Sequence, residues 1–132
     1  MNDCIFCKII AKEAPSYIID ENDDVIVFLA FEGHPLVVTK KHFSTIYNLD
    51  DVSGAAVMKA AVKVANALKK SLACDGVNVI QANEPVAGQD VMHFHMHIIP
   101  RWKNDSVNFG WELKQQAPEM LAQRQEEIKK AL

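Results

Sequence analysis

Three histidines occupy alternate positions in the C-terminal third of the chain, at His93, His95 and His97. Apolar residues fill the intervening positions, and this period of two is typical of an extended strand half-buried against a core. We therefore expect a strand over residues 91–101 with imidazoles on one face. An imidazole can ligate a metal, transfer a proton or attack an electrophile, so this face is the candidate site for chemistry.

Strand geometry limits what the three histidines can do together. At a rise of about 3.3 Å per residue, the Cα atoms of His93 and His97 would lie about 13 Å apart. A Zn–N bond is only about 2.0 Å long, so one ion cannot bind all three side chains. His93 and His95 could still share an ion, and a zinc enzyme with a metal-bound water therefore remains an alternative interpretation.

A second group of candidate residues is the pair Cys4 and Cys7. Cysteines at this spacing form half of a tetrahedral zinc site, because both thiolates can turn toward one ion. A redox pair would be expected after a strand, and residue 4 leaves no room for one. Two ordinary buried cysteines are the other alternative. With three cysteines in the chain, a metal or redox use in a reducing compartment is favoured over a disulfide framework.

Turn signals divide the chain into short strands and two helices that would position these residues. Apolar residues at helical spacing after the caps around Asp50 predict one long helix that ends near Gly76, and Pro118 begins a C-terminal helix. The expected strands are residues 16–19, 25–31, 36–39, 77–82 and 91–101.

Composition narrows the class of protein. The 132 residues fit one domain, with 49% hydrophobic and 23% charged residues. A net charge of −3 argues against a general partner of polymeric nucleic acid. No apolar run approaches the roughly 20 residues of a membrane span. We therefore expect a cytoplasmic protein with no membrane partner.

The residues around the histidines resemble the signature of the histidine triad (HIT) family of nucleotide hydrolases and transferases. The resemblance covers residues 4–101 and is carried by His-Phe-His-Met-His-Ile-Ile-Pro-Arg, the preceding Gly-Gln, Gly-His-Pro-Leu-Val-Val and Lys-Lys-His. It implies an α+β, HIT-like fold: a mainly antiparallel five-stranded sheet with one long helix and a C-terminal helix. We expect a single HIT domain over residues 1–132, with a core at 1–101 and a C-terminal extension at 102–132.

The resemblance also implies a nucleotide-binding phosphohydrolase that passes the α-phosphate of a purine nucleotide to the middle histidine, His95. His97 and His34 would contact the phosphoryl oxygens or protonate the leaving group. Nucleoside phosphoramidates or dinucleoside polyphosphates are the expected substrates, and a non-catalytic nucleotide-binding module is the alternative. Further nucleotide or phosphate contacts are expected at Ile10, Phe28, Asn83, Gly88, Gln89 and Asp90.

A structural zinc ion and a homodimer complete these expectations. Cys4, Cys7 and His42 are ligands of the type that zinc prefers, and His93, at the start of its strand, is free to complete a closed Cys2His2 set. The zinc-bearing, bacterial-type branch of the family resembles this sequence at the same four positions. The family resemblance predicts a homodimer, to which the aromatic residues Trp102, Phe109 and Trp111 would contribute.

Two positions depart from the family pattern. Many members carry an aspartate for the ribose hydroxyls where this chain has Ala30, and Glu32 is the available substitute. A serine or threonine often stands at the position of Asp90. A carboxylate there disfavours an anionic leaving group and favours a cationic amine.

Overall fold

The computed structural model of the protein describes residues 3–110 and 112–132. Five strands form one sheet in the order β1-β2-β3-β5-β4, with every neighbouring pair antiparallel. This arrangement confirms the predicted α+β fold with an antiparallel five-stranded sheet. The elements are α1 (Ile5–Ile10), β1 (Ile18–Glu21), β2 (Val25–Leu29), β3 (Pro35–Thr39), α2 (Asp51–Leu72), β4 (Gly76–Ile80), β5 (His95–Arg101) and α3 (Pro118–Ala131).

Two local features differ from the sequence prediction. Helix α1 was not predicted, because six residues carry too short a pattern; the Cys4 Sγ caps it by accepting a hydrogen bond from the Cys7 N–H at 3.4 Å. Strand β5 begins at His95 rather than at residue 91. The chain bends before it, since the His93 N–H donates to the carbonyl oxygen of Val91 and the Phe94 N–H donates to that of Phe43.

Both faces of the sheet are apolar. Strands β2 and β3 are buried along almost their whole length, so alternate side chains enter two separate cores. The first core lies under α2 and contains Val25, Val27, Val37 and Ile98 of the sheet and Phe94 just before β5, with Val57, Ala61, Val64 and Leu68 of the helix. The second lies under α1 and contains Phe6, Ile9, Ile26, Phe28, Leu36 and Val38.

Strand register fixes the face on which the triad histidines lie. His95 is paired with Val38, and His97 is paired with Leu36, across the β3–β5 ladder. Directly paired residues of antiparallel strands point to the same face of a sheet. Both histidines therefore share the face of the second core, under α1, rather than the face that α2 covers.

Gln89 holds the loop that leads into β5. Its side chain is buried; Nε2 donates to the carbonyl oxygens of Ser44 and Val91 at 2.6 and 3.1 Å, and Oε1 accepts from the Glu84 N–H at 2.7 Å. Gly88 adopts a φ of +96°, a conformation that favours glycine. These contacts tie three segments together immediately before the histidines.

The chain after β5 is anchored mainly through one arginine. The Arg101 guanidinium binds both carboxylate oxygens of Asp105, the Asn78 side chain and the Val107 carbonyl, and lies 5.3 Å from the ring centroid of Phe109. The ion pair lowers the pKa of Asp105 well below its usual range.

Every residue of α3 is exposed. Among the described helices, none is long and apolar enough to cross a membrane.

Replacing Gln89 by alanine should destabilise the protein by about 1–3 kcal/mol, because the loop's buried carbonyl and N–H groups lose their partner. The measurement is urea unfolding, with Gln116→Ala on the exposed C-terminal segment as the control, which should change stability little. If Gln89→Ala weakened nucleotide binding at unchanged stability, the side chain would act as a ligand contact rather than as a support of the loop.

Candidate metal centre and histidine site

Four candidate metal ligands converge beside α1. The ligand atoms of Cys4, Cys7, His42 and His93 all lie within 4.8 Å of one another. Helix α1 and its cap supply the two thiols, the segment after β3 supplies His42, and the bend before β5 supplies His93. This group brings together all four residues predicted as zinc ligands.

The distances within the group fit a tetrahedral ion. His93 Nδ1 lies 3.4 Å from Cys4 Sγ and 3.6 Å from Cys7 Sγ, and His42 Nδ1 lies 3.3 Å from Cys7 Sγ. A zinc ion with Zn–S bonds of about 2.3 Å and Zn–N bonds of about 2.0 Å separates its sulfur and nitrogen ligands by about 3.5 Å. The four residues could therefore hold a metal ion with little movement.

Hydrogen bonding and burial prepare His93 for this role. Its Nε2 lies 2.7 Å from the carbonyl oxygen of Thr39, which can only accept, so Nε2 carries the proton and Nδ1 faces the thiols with its lone pair. Burial lowers the pKa of His93 to about 4, which keeps the ring neutral. A neutral imidazole oriented by a carbonyl oxygen is the form that binds a metal.

His95 is oriented in the opposite sense. Its Nδ1 lies 2.7 Å from the carbonyl oxygen of His93 and must therefore donate to it. The lone pair remains on Nε2, the nitrogen that lies 3.6 Å from a carboxylate oxygen of Asp90. Since His93 and His95 direct their free nitrogens to different surroundings, this geometry gives no support to a zinc ion shared between them.

His34 and His97 form a second pair of imidazoles next to His95. The distance between His34 Nε2 and His97 Nδ1 is 2.9 Å, so one ring donates to the other. Burial is the main cause that lowers the pKa of both rings, and Glu32 opposes the shift in each. The ring centroids of His95 and His97 are 5.0 Å apart. The three residues predicted to be catalytic therefore lie together, and at neutral pH the pair shares one proton between two nitrogens.

The residues predicted to contact nucleotide or phosphate fall into three groups. Phe28 is buried in the second core, and Ile10 packs against that core from α1. The side chains of Gln89 and Asn83 are engaged within the protein: Asn83 accepts from the Ile46 N–H at 2.7 Å and donates to Gln81. Those two residues have no side-chain donor turned toward His95 in these contacts.

The other two residues of that prediction lie in the loop before β5. Gly88 is exposed and ends a single 3-10 turn, and Asp90 is exposed beside His95. The N–H groups of Gly88 and Gln89 donate within the loop, to the carbonyl oxygens of Pro85 and Glu84 at 3.0 and 3.2 Å, so these two N–H groups are already engaged. Gly88 and Asp90 remain predicted phosphate contacts.

Sequence reasoning missed Phe6, which links the metal centre to the histidine site. Its ring packs edge-on against three other rings, with centroids 5.3 Å from Phe28, 5.9 Å from His93 and 5.1 Å from His95. Phe6 lies on the same short helix as Cys7. The sequence alone does not single out Phe6, because Ile5 also lies between the two cysteines and is exposed.

Comparison with known sequences places this site in a family. The HIT domain model matches residues 11–104. An uncharacterized HIT-like protein of Borreliella burgdorferi is 46% identical over 115 residues, covering 83% of each chain. The adenosine 5′-monophosphoramidase HNT1 of Saccharomyces cerevisiae is 35% identical over 113 residues, which cover 82% of this chain and 69% of the yeast protein.

Solved structures agree with the sequence matches. A HIT family protein of Bacillus subtilis has a TM-score of 0.91 at 36% identity, covering 98% of this chain and 97% of its own. A zinc-bound histidine triad family protein of Mycobacterium smegmatis has a TM-score of 0.76 at 25% identity, with 99% of each chain covered. With the family model, the relatives and the paired histidines in agreement, the chain belongs to the HIT family.

Proposed function

We propose that this protein is a nucleotide phosphohydrolase that works through a nucleotidyl intermediate on His95. The observation that carries the proposal is the 2.7 Å contact between His95 Nδ1 and the His93 carbonyl, because it leaves Nε2 as a free nucleophile. The side chain of His95 is almost completely buried, so little water competes for that nitrogen.

The reaction would proceed in two displacements at the α-phosphorus. In the first, His95 Nε2 forms a bond to phosphorus, and the bond to the leaving group breaks with its electron pair passing to the departing atom. In the second, water attacks the phosphorus and forms a P–O bond, the P–N bond to His95 breaks with its electron pair returning to Nε2, and the water proton passes to solvent as the nucleoside monophosphate is released. No oxidant or metal-bound water is required.

The His34–His97 pair would supply the proton. If His34 Nε2 is the donor in their 2.9 Å hydrogen bond, His97 passes its Nε2 proton to the leaving atom, His34 passes its Nε2 proton to His97, and solvent returns a proton to His34 Nδ1, so both rings end neutral. N–H donors of the pair would also neutralise charge that develops on the phosphoryl oxygens. Both rings are kept neutral by burial, which suits groups that must donate without forming a permanent ion pair with phosphate.

Nucleotide recognition is proposed to use the face of the second core. Ile10, which is partly exposed, would supply apolar surface for a purine base, with the buried Phe28 behind it, and phosphate contacts are proposed in the loop at Gly88. Ala30 offers no acceptor for the ribose hydroxyls. Ala30 is the first residue of a tight turn, in which its N–H donates to the carbonyl oxygen of His34 at 2.8 Å. The exposed carboxylate of Glu32 lies in this turn and is the proposed substitute.

The substrates we propose are nucleoside phosphoramidates or dinucleoside polyphosphates. Similarity to the yeast adenosine 5′-monophosphoramidase supports the first class. A non-catalytic purine-nucleotide-binding module is the competing interpretation, because the same pocket would bind a nucleotide without turning it over. A cytoplasmic location and the lack of a polymeric nucleic-acid partner stay predictions from composition, and the division of one HIT domain at residue 101 stays a prediction from the extent of the family resemblance.

The roles of His95 and His97 predict an ordering of two variants. His95→Asn keeps the size and a hydrogen-bonding group but removes the nucleophile, so hydrolysis of adenosine 5′-phosphoramidate should fall by about 10³-fold or more while AMP binding survives. His97→Asn should cost less, because water and His34 partly replace its contact. A radiolabelled adenylyl group should be trapped on wild-type protein and absent from His95→Asn. Near-normal turnover by His95→Asn, with turnover abolished in His97→Asn, would show that the roles are reversed.

We also propose that the ion held by Cys4, Cys7, His42 and His93 is a structural zinc. Four protein ligands leave no position for substrate or water, so the ion would fasten α1 to the sheet and take no part in the chemistry. The zinc-bound relative of Mycobacterium smegmatis and the geometry of the four ligand atoms support this assignment.

Removal of zinc should therefore lower stability before it affects catalysis. Freshly purified protein should contain about one zinc per chain, and chelation should lower Tm while protein that stays folded retains activity. Cys4→Ala should lose the metal. Cys74→Ala, at a buried cysteine outside the group, is the matched control and should keep it. Metal-free protein directly after purification, without loss of Tm on chelation, would disprove the assignment.

A homodimer is proposed from the free edge of the sheet and the exposed aromatic residues. Strand β4 ends the sheet, and Trp102 and Phe109 are 40% and 41% exposed. Trp111, the third aromatic residue of the prediction, lies outside the described residues. Sedimentation at micromolar concentration should give about twice the 14.8 kDa of one chain; a single-chain mass would instead favour an intramolecular role for these aromatic residues.

A further inference from the structure

A surface cleft gives access to the thiols of the candidate metal centre. The cleft has a volume of about 450 Å³, and Cys4 and His42 are among the residues that line it. Cys4 and Cys7 are both half-buried, whereas the third cysteine, Cys74, is buried in the first core. A cleft of this volume admits a small molecule. A small reagent can therefore reach Cys4, while the core shields Cys74.

The two half-buried thiols are also placed to react with each other. Cys4 is the N-cap of α1 and Cys7 lies in its first turn, and their Sγ atoms are within 4.8 Å of one another. Residues three apart on a helix have Cβ atoms about 5–6 Å apart, and a disulfide requires about 3.5–4.5 Å. A bond between Cys4 and Cys7 therefore needs only a tightening of this first turn.

A disulfide between these cysteines would change the site in two ways. It would remove both thiolates from the ligand group, and the imidazoles of His42 and His93 alone do not form a closed metal site. It would also reshape the turn that carries Phe6, whose ring is 5.1 Å from that of His95. The state of the two sulfurs is thus connected to the surroundings of the proposed nucleophile.

We propose that Cys4 and Cys7 are a reversible modification site, at which a low-molecular-weight disulfide oxidises the pair and thereby lowers hydrolysis at His95. The effect on hydrolysis rests on the function proposed above, whereas the oxidation itself does not. In a reducing compartment a lasting disulfide is uncommon, and those that form are usually transient and redox-sensing or catalytic. A pair that alternates between metal binding and a disulfide fits that setting.

The oxidation would proceed as two displacements at sulfur. A zinc ion at the four ligands would keep both sulfurs as thiolates. The Cys4 thiolate attacks one sulfur of the reagent R–S–S–R, whose S–S bond breaks with its electron pair going to the departing R–S⁻. The Cys7 thiolate then attacks the Cys4 sulfur of this mixed disulfide and expels the second R–S⁻. The cysteines lose two electrons and the reagent gains two, so no other oxidant is required.

The test treats zinc-loaded protein with oxidised glutathione and follows the sulfurs and the metal directly. Trypsin cuts after Lys8, so residues 1–8 form one peptide that contains both reactive cysteines. This peptide should lose about 2 Da, the mass of two hydrogens, and about one zinc ion per chain should pass to a chromogenic chelator. Dithiothreitol with added zinc should reverse both changes. Cys74→Ala, which removes the third cysteine, should respond as wild type does.

Reduced protein from which zinc has been removed by a chelator is the matched reference for catalysis, because it differs from oxidised protein only in the disulfide. Oxidised protein should hydrolyse adenosine 5′-phosphoramidate about 10-fold more slowly than this reference, since a small displacement near the reacting groups is costly. Amide hydrogen exchange in α1 should also be faster in the oxidised form.

Three outcomes would count against these assignments. A peptide 1–8 that keeps both thiols, or that carries a glutathionyl group without an internal disulfide, would overturn the modification site. Equal hydrolysis by oxidised and chelated protein would overturn the connection to His95 and leave the hydrolase intact. Absence of turnover and of a trapped adenylyl group in every form would overturn the hydrolase and with it the effect on hydrolysis, while the mass of the peptide would still decide whether the cysteines react.

Discussion

The position of α1 is the constraint on which the rest of the site depends. A helix of six residues is too short to be stable alone in water, so contacts outside it must hold it in place. It has two: Phe6 and Ile9 enter the second core, and its cysteines meet His42 and His93. Because the ring of Phe6 packs edge-on against that of His95, whatever fixes the cysteines also fixes the surroundings of the His95 imidazole.

Three histidines of one short motif take separate roles because the chain bends between the first and the second. The backbone at residues 91–94 bonds to a neighbouring loop through the Phe43 carbonyl instead of continuing the ladder of β5. His93 is thereby turned toward the thiols, and its own carbonyl becomes the acceptor that orients His95. The carbonyl group of His93 thus links the candidate metal centre to His95. The two histidines carry their protons on different ring nitrogens, Nε2 in His93 and Nδ1 in His95.

The sequence alone was enough to predict those elements whose residue pattern is compatible with only one kind of structure. The caps and helical spacing around α2, the hairpin of β1 and β2, and the grouping of the four candidate metal ligands were predicted from residue type and spacing. The start of β5 was predicted four residues too early, because a period of two continues through the bend and only the tertiary bonds to Phe43 and Val91 end the strand. The inward-turned amide of Gln89 also depends on segments distant in sequence, so no local pattern could have distinguished it from a ligand contact.

The strand order has a consequence for how the protein acquires its site. Strand β5 inserts between β3 and β4, so His34 meets His97 across 63 residues of chain, and Cys4 meets His93 across 89. Closing loops of this length costs conformational entropy before any contact is made, which makes such pairings slow relative to local helix formation. During synthesis, neither group of histidines can assemble until the last strand has left the ribosome and entered the sheet. The nascent chain therefore carries separated cysteines and imidazoles until more than three quarters of its residues have been made, since β5 ends at Arg101 of 132 residues.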